Sequence, residues 1–416
     1  MYTMDSFRKI YDSTNETDWS KLNQVMNIIQ TVQKKKDAAL FDYSEKFDGV
    51  SLDRLEIETG DLEKAFQSID EDLRAALEMA HKNIWDYQQS IMLKDSPAAE
   101  LYQKVHPLNR VGVYVPGGTA PLVSTVLMTA VLAKVAGVKE IIVTTPPQKE
   151  GVSQAILAAC HIAQVDRVFQ VGGAQAIAAL AYGTETIPRV DKIAGPGNQY
   201  VALAKKMVYG DVGIDSIAGP SEIVVVVDDS TRADYVAYDL LAQAEHDVLA
   251  RTFLISEHEE KLDEIREKVA ELKDSQPRSQ IIEASLKNHH FPVLTASKEE
   301  TVECVNLIAG EHVSIQTRDA QSYVDLITTA GALFIGDYSP EAIGDYIAGP
   351  SHVLPTGGTA RFSNGLTVND FLRTNSVIAL DKKSFEKMAP GGMRLALEES
   401  LKAHHDSLSS RLEEIK

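Results

Sequence analysis

Four side chains of this 416-residue chain offer a donor set for a metal ion: Gln243, His246, Asp345 and His404. One amide oxygen, two imidazoles and one carboxylate suit Zn2+ or Mn2+ better than Cu(I). Taken singly, three have ordinary readings: His246 as a helix-end polar residue, Asp345 as a turn residue after Gly344, and His404 as a solvent-facing histidine. Gln243 is harder to dismiss. In LLAQAEHDVLA, residues 240–250, a count of about 100° per residue from Val236 puts Leu240 and Gln243 on one apolar stripe. An amide without a partner is costly there. If the helix continues, His246 shares the same side three residues on.

Acid–base chemistry is offered by Glu311 and His312, which follow Gly310 and precede an apolar run. A histidine that titrates near neutrality can accept an alcohol proton, and a carboxylate beside it can activate water. Neighbours on a regular strand face opposite ways, so a shared role requires a loop conformation at this point. A polar loop at a strand start is the alternative. Two glycine turns, VPGG (115–118) and VGGAQA (171–176), stand between strand-like and helix-like runs, where a helix N-terminus can hold phosphate. Neither matches G-x-G-x-x-G, so dinucleotide binding and tight structural turning both stay open. Cys160 and Cys304 sit in apolar, helix-like segments and read as buried and inert; two cysteines make neither a thiolate zinc site nor a disulfide framework. His289 and His290, in KNHHFP, read as loop residues.

The elements that must position these groups alternate along the chain. Residues 17–95 carry spaced apolar positions such as Leu22, Val25, Ile28, Ile29 and Val32 and are expected to be helical. From about residue 101, the strand-like runs RVGVYVPGG, EIIVTTPP and RVFQVGG are separated by the helix-like STVLMTAVLAKVAG and SQAILAACHIAQ. That alternation implies a doubly wound parallel sheet. A second set opens with EIVVVVDD (222–229) and continues through the Gln243 helix, RTFLIS, a charged helix, HFPVLTAS, HVSI and GALFIG. The chain after about 365 reads as a small helical appendage. IAGP recurs at 193–196, 217–220 and 347–350, and IAGE stands at 308–311. The polar residues beside these corners (Asn198, Ser221, His352, Glu311 and His312) are expected to converge outside strand carboxyl ends, where parallel sheets bind ligands.

Composition narrows the partners. Hydrophobic residues make up 44%, and 41 Lys and Arg against 60 Asp and Glu leave a formal charge of −19, the opposite of a nucleic-acid footprint. The opening MYTMDSFRKI has no apolar core of a signal peptide, and no apolar stretch reaches membrane-spanning length, so a cytoplasmic protein is expected. The length points to two to four domains.

The longest motifs together resemble the histidinol dehydrogenase family. They run from NRVGVYVPGG through VGGAQAIAALAYGTETIPRVDKIAGPGN, AGPSEIVVVVDD, LLAQAEHD, AGEHVSI and GDYIAGPSHVLPTGGTARFSNGLTVNDF to LKAHH; the first 90 residues match more loosely. The resemblance implies zinc ligands Gln243, His246, Asp345 and His404, with a one-residue slip to His405 open. It implies the acid–base pair Glu311 and His312, and NAD contacts at Tyr114, Gln175 and Asn198. Substrate contacts would be Ser221, Gln243, His246, His312, Asp345, His352, Glu399 and His404. The implied substrate is L-histidinol, oxidised by NAD through L-histidinaldehyde to L-histidine, with one Zn2+ per subunit. Ser351 stands where that family usually carries asparagine, beside His352.

The implied architecture is a domain-swapped homodimer of two incomplete Rossmann-like α/β domains with small, mainly helical terminal domains. Its segments would be an N-terminal extension (1–20), a first α/β domain in two pieces (21–113 and 223–364, the latter with the metal and catalytic residues), a second, NAD-binding α/β domain (114–222), and a dimerisation domain (365–416) that reaches the partner's site. Glu399 and His404 are five apart, about 140° on one helix, so sharing a site requires a helix break near Ala403 or approach from two sides. Other readings are a zinc- and NAD-dependent dehydrogenase for another small alcohol, a zinc hydrolase with Glu311 as base, and a non-catalytic binding protein.

Overall fold

A computed structural model describes residues 1–11, 20–117 and 121–415. Gly118 of VPGG and residues 12–19 of the expected N-terminal extension lie outside the described residues. The chain divides into two units, Met1–Met92 with Leu108–Phe371, and Leu93–Pro107 with Leu372–Lys416.

The strands are β1 (Tyr2–Thr3), β2 (Glu56–Ile57), β3 (Leu101–Pro107), β4 (Arg110–Tyr114), β5 (Glu140–Thr145), β6 (Arg167–Gln170) and β7 (Lys192–Ala194). They continue as β8 (Gly213–Ile214), β9 (Glu222–Val227), β10 (Arg251–Ser256), β11 (His290–Leu294), β12 (His312–Gln316), β13 (Ala332–Ile335) and β14 (Leu372–Ile378). The first unit holds two six-stranded sheets, ordered β2-β6-β5-β4-β7-β8 and β1-β11-β10-β9-β12-β13. Every pairing in them is parallel except β2 with β6. Within each sheet, five strands follow the order third, second, first, fourth, fifth, which is doubly wound. Chain direction therefore reverses across β4 and β7 in one sheet, and across β9 and β12 in the other.

The β-rich runs read from the sequence all form strands, and their composition explains why. β9 is the middle of its sheet, and all six of its residues are buried, as a strand covered on both faces must be. Val224 and Val226 pack with Phe253, Ile255 and, from the N-terminal helix Met4–Tyr11, Phe7 and Tyr11. Ile223, Val225 and Val227 face the other way, onto Val236, Leu240 and Leu241 of the helix Ala233–Ala244. The sheets divide the chain at points other than the expected segments. β4 pairs with both β5 and β7, so residues 110–114 form the centre of the sheet containing 140–214. β1 pairs with β11, so the chain start belongs to the other sheet.

The second unit is less helical than expected. β3 and β14 form a seven-residue antiparallel ribbon; most of its residues are exposed, so LRTNSVI has no clear apolar alternation to announce a strand. Two helices, Lys382–Glu398 and Lys402–Ile415, follow. The break between them lies at 399–401, where Ser400 takes a left-handed φ of 60°. Ala403 itself lies inside the second helix, so the break falls a few residues before the expected place.

Phe7 is fully buried against β9, β10 and β11. Phe7→Ala should cost about 3–5 kcal/mol, read as a lower midpoint in denaturant-induced unfolding. A loss below about 1 kcal/mol would mean that the N-terminal helix is peripheral to the sheet.

Candidate active site

The catalytic cluster forms at the amino ends of β9 and β12. β12 begins at His312 and pairs with β9 in parallel, His312 opposite Ile223. Glu311 lies just outside the strand, after Ala309 in a left-handed conformation (φ 49°) and Gly310. The loop conformation that a shared Glu311–His312 role demands is therefore present. The backbone of Glu222 serves both side chains: its N–H donates to Glu311 Oε2 at 2.8 Å, and its carbonyl lies 3.0 Å from His312 Nδ1. Ser221 Oγ also donates to Glu311 Oε2, at 2.6 Å. Because a carbonyl can only accept, His312 Nδ1 carries a proton. Its Nε2 is buried without a hydrogen-bond partner and faces Asp345 Oδ1 at 3.5 Å.

Gln243 is fully buried on its helix, as the periodicity requires. One end of its amide lies 2.8 Å from Ser221 Oγ, and the other 2.9 and 3.3 Å from the two oxygens of Glu341. With the nitrogen toward Glu341 the amide donates to that carboxylate, and its oxygen faces Ser221 Oγ. His246 departs from the expected geometry. The helix stops at Ala244, and His246 sits in the turn beyond, its N–H donating to Gln243 O at 3.3 Å. The turn still brings its ring to Glu341 and Asp345, whose ligating atoms lie with it inside a 4.8 Å cluster.

Glu341 is the member that sequence reasoning missed. Glu341 and Asp345 stand four apart on the helix Glu341–Tyr346, a spacing that places two carboxylates on one side. That was the available signal. Glu341 also lies 3.7 Å from His312 Nδ1. The helix is followed by Ser351 and His352. His352 is held by the Asp345 carbonyl on Nδ1 (3.0 Å) and by Thr125 Oγ1 on Nε2 (3.2 Å). Ser351 donates to Met128 O at 2.8 Å and accepts from Val353 N–H at 3.2 Å. Thr125 and Met128 belong to a helical run interrupted by a π-turn at Leu127–Val131.

Electrostatics mark this cluster. Burial pushes Glu311 up, with His312 opposing, and pushes Glu341 up against the same opposition. Burial likewise raises Glu222 to about 7, although Arg251 pulls it down. For His312 burial works against the charged form, yet Glu341, Glu311 and Asp345 outweigh it and hold its pKa well above the usual value. Burial opposes the charge on Asp345 too, but the contact with His312 keeps its carboxyl low. The His246 ring reaches solvent, while the protein around it still lowers its pKa, favouring the neutral imidazole a metal needs. The His246 imidazole with the Glu341 and Asp345 carboxylates, whose ligating atoms lie within 4.8 Å of one another, is a donor set that fits a divalent cation of the zinc or manganese kind.

The expected dinucleotide residues gather at the carboxyl ends of the other sheet. Tyr114 ends β4, and its buried hydroxyl accepts from Gly173 N–H at 3.1 Å. Gly173 (φ 65°) opens the helix Gly173–Tyr182, which carries buried Gln175. Asn198 follows β7 and caps the helix Gln199–Val208, its Oδ1 accepting from Tyr200 and Val201 N–H at 3.0 and 3.2 Å. The four Ile-Ala-Gly corners do not share one placement. Only 193–196 follows a strand; 217–220 and 308–311 lead into β9 and β12, and 347–350 follows a helix. The last three still surround one cluster, because amino ends rather than carboxyl ends face it. Glu399 and His404 lie in the second unit, both exposed; His405 Nδ1 sits 3.0 Å from Asp406 Oδ1. His289 and His290 are not loop residues: His289 ends the helix Ser279–His289, and half-buried His290 starts β11 with Nδ1 2.8 Å from Thr252 Oγ1, where desolvation lowers it to about 4. Both cysteines are buried, and burial lifts Cys304 to about 12.

A doubly wound α/β framework with buried acid–base groups beside a possible cation site describes an oxidoreductase better than a binding module. Comparison makes this specific. The family model for histidinol dehydrogenase matches residues 12–412. The histidinol dehydrogenase of Staphylococcus epidermidis is 49% identical over 413 residues, covering 99% of this chain and 100% of that one. That of Staphylococcus saprophyticus is 53% identical over 388 residues, covering 93% and 92%. The crystal structure of histidinol dehydrogenase from Elizabethkingia anophelis superposes with a TM-score of 0.91 at 34% identity, covering 96% of this chain and 94% of that one. The chain belongs to the histidinol dehydrogenase family.

Glu341→Gln should weaken Zn2+ binding about 10- to 100-fold, the usual cost of losing a group that orients ligands, in a chelator competition titration. Unchanged zinc affinity in a folded variant would remove Glu341 from the cluster's function.

Proposed function

We propose that this chain oxidises L-histidinol to L-histidine through L-histidinaldehyde, using two molecules of NAD+ in succession and one Zn2+ held by Gln243, His246 and Asp345. The observation that carries the reading is the backbone of Glu222, with its N–H and its C=O. It fixes a carboxylate and an imidazole side by side, with Nε2 of the imidazole turned into the cluster. NAD+ would supply the hydride acceptor, and a zinc ion held by these residues would anchor the substrate and offset the surrounding negative charge. With that charge offset, His312 can stay neutral.

In the first oxidation the hydroxyl proton passes to His312 Nε2 as hydride leaves the carbinol carbon, giving the aldehyde. In the second, Glu311 takes a proton from water as the water oxygen adds to the aldehyde carbon, and His312 returns its proton to the carbonyl oxygen, which frees Nε2 to accept again. The hydrated aldehyde then gives its proton to His312 and loses a second hydride, leaving the carboxyl group. Ser221, donating to Glu311, and His352, held by Asp345 and Thr125, line the substrate's position. Tyr114, Gln175 and Asn198 hold the dinucleotide where the strand order reverses at β4 and β7, a placement this fold class favours.

Glu399 and His404 complete the site from a second copy of the chain, in a domain-swapped homodimer. The second unit supports that assignment by its own composition. Among its described residues it buries only Ala389 and Ala396, while Ile378, Met388, Leu395, Leu397 and Leu401 are exposed. Such a unit lacks a core of its own and presents apolar surface to a partner. No helix among the described residues is long and apolar enough to cross a membrane, which accords with a cytoplasmic site of action.

Purified protein with histidinol and NAD+ should form about two NADH per histidinol consumed, the stoichiometry of an alcohol-to-acid oxidation. His312→Asn should lower turnover on the order of 10²- to 10⁴-fold. Product without NAD+ would favour a zinc hydrolase, and turnover of another alcohol but not histidinol would reassign the substrate. Mixing His312→Asn subunits with His404→Ala subunits should restore activity through heterodimers with one intact site. No recovery after verified subunit exchange would place His404 in its own subunit's site or outside any site.

A further inference from the structure

Lys205 and Asp215 form an ion pair whose two side chains are each only 2% exposed. A buried ion pair seldom outperforms well-packed apolar residues in stability, so its place in the fold calls for another account. Both partners act on one residue. Lys205 Nζ donates to Gly195 O at 3.1 Å, and Gly195 N–H donates to Asp215 Oδ2 at 2.7 Å. The two polar groups of Gly195 are thus held by opposite charges.

Gly195 needs that hold. Its φ is +114°, and a Cβ there would stand 2.2 Å from the carbonyl oxygen of Tyr114. It opens the turn from β7 to Asn198, and Asn198 starts the helix from whose far half Lys205 reaches back. Asp215 is tied to the same strand, its own N–H donating to Ile193 O at 3.2 Å. Strand end, turn, cap and helix form one closed loop, fastened at Gly195 and pressed against Tyr114.

We propose that Lys205 and Asp215 are a positioning pair for the dinucleotide: they set the Gly195–Asn198 turn against Tyr114, and so shape the crevice that accepts NAD+. The proposal rests on the NAD reading of Tyr114 and Asn198. The pair touches no substrate and takes no part in proton transfer.

Two variants test it, each measured by calorimetric titration with NAD+ and by steady-state kinetics. Lys205→Met combined with Asp215→Leu removes both charges while keeping apolar bulk. It should raise the NAD+ dissociation constant and KM by about tenfold or more, leave kcat within about twofold, and leave zinc content and histidinol KM unchanged. Lys205→Arg keeps the charge but moves its tip, and should raise the NAD+ constants by about threefold with kcat kept. Wild-type NAD+ affinity in Lys205→Arg and in the folded double variant overturns the proposal. If the double variant does not fold, Lys205→Arg alone decides, and unchanged NAD+ constants there overturn it. A wild-type enzyme that neither binds nor reduces NAD+ instead brings down the dinucleotide reading itself.

Discussion

The backbone of one residue, Glu222, organises the candidate site. The N–H and C=O of Glu222 hold the Glu311 carboxylate and the His312 imidazole, and both bonds depend on where β9 and β12 begin. In a parallel pair the register is set along the whole strand. Here the buried run of Ile223 to Val227, matched to His312 to Gln316, sets it. A slip of one residue would turn the apolar side chains to the wrong faces. The hydrophobic sheet core therefore enforces the spacing of the acid–base pair. Gly331 adds to the constraint: its N–H donates to Gly310 O, and a Cβ there would stand 2.4 Å from the Glu311 carbonyl.

The second organising feature is crowded charge. Glu222, Glu311, Glu341 and Asp345 all act electrostatically on or beside His312, in surroundings that penalise each carboxylate's ionised form. Such an arrangement is poor for stability alone, because buried like charges raise one another's pKa. It becomes reasonable around a cation, which neutralises the carboxylates and leaves the imidazole free to take a proton. Gln243 fits the same logic. Its amide extends the hydrogen-bonded chain from Ser221 to Glu341, so the acid–base pair and the cation-ready donors form one connected network whose members are hard to perturb singly.

The two sheets meet their sites with opposite ends. The β4–β7 reversal presents carboxyl ends, with helix N-termini and Asn198 pointing into its crevice; the β9–β12 sheet presents amino ends, where Ser221, Glu311 and His312 sit. The corresponding carboxyl-end reversal at β9 and β12 is taken up locally: Asp228 accepts from Arg318 N–H, and Thr231 Oγ1 bonds to Gln316 O. Thr125 and Met128 run on from the first crevice and bond to His352 and Ser351 of the second.

Much of this was legible in the chain. β-Branched runs broken by alanine-rich segments determine parallel sheets because strands buried on both faces have few alternatives, and Gln243 on an apolar stripe demanded a partner before any was visible. Glu311 and His312 declared themselves by residue type and by the glycine that lets them leave strand geometry. What only the tertiary structure decided was proximity and direction: that Glu341 joins the cluster, that His246 reaches it from a turn and not a helix face, and that two of the four glycine corners lead into the strands whose amino ends face it. Lys205 and Asp215 carried no local signal at all, since an ion pair is recognised only when the two charges meet. Local sequence specifies each element through periodicity and backbone preference. Which ends of those elements come together depends on long-range packing, and no spacing along the chain encodes that directly.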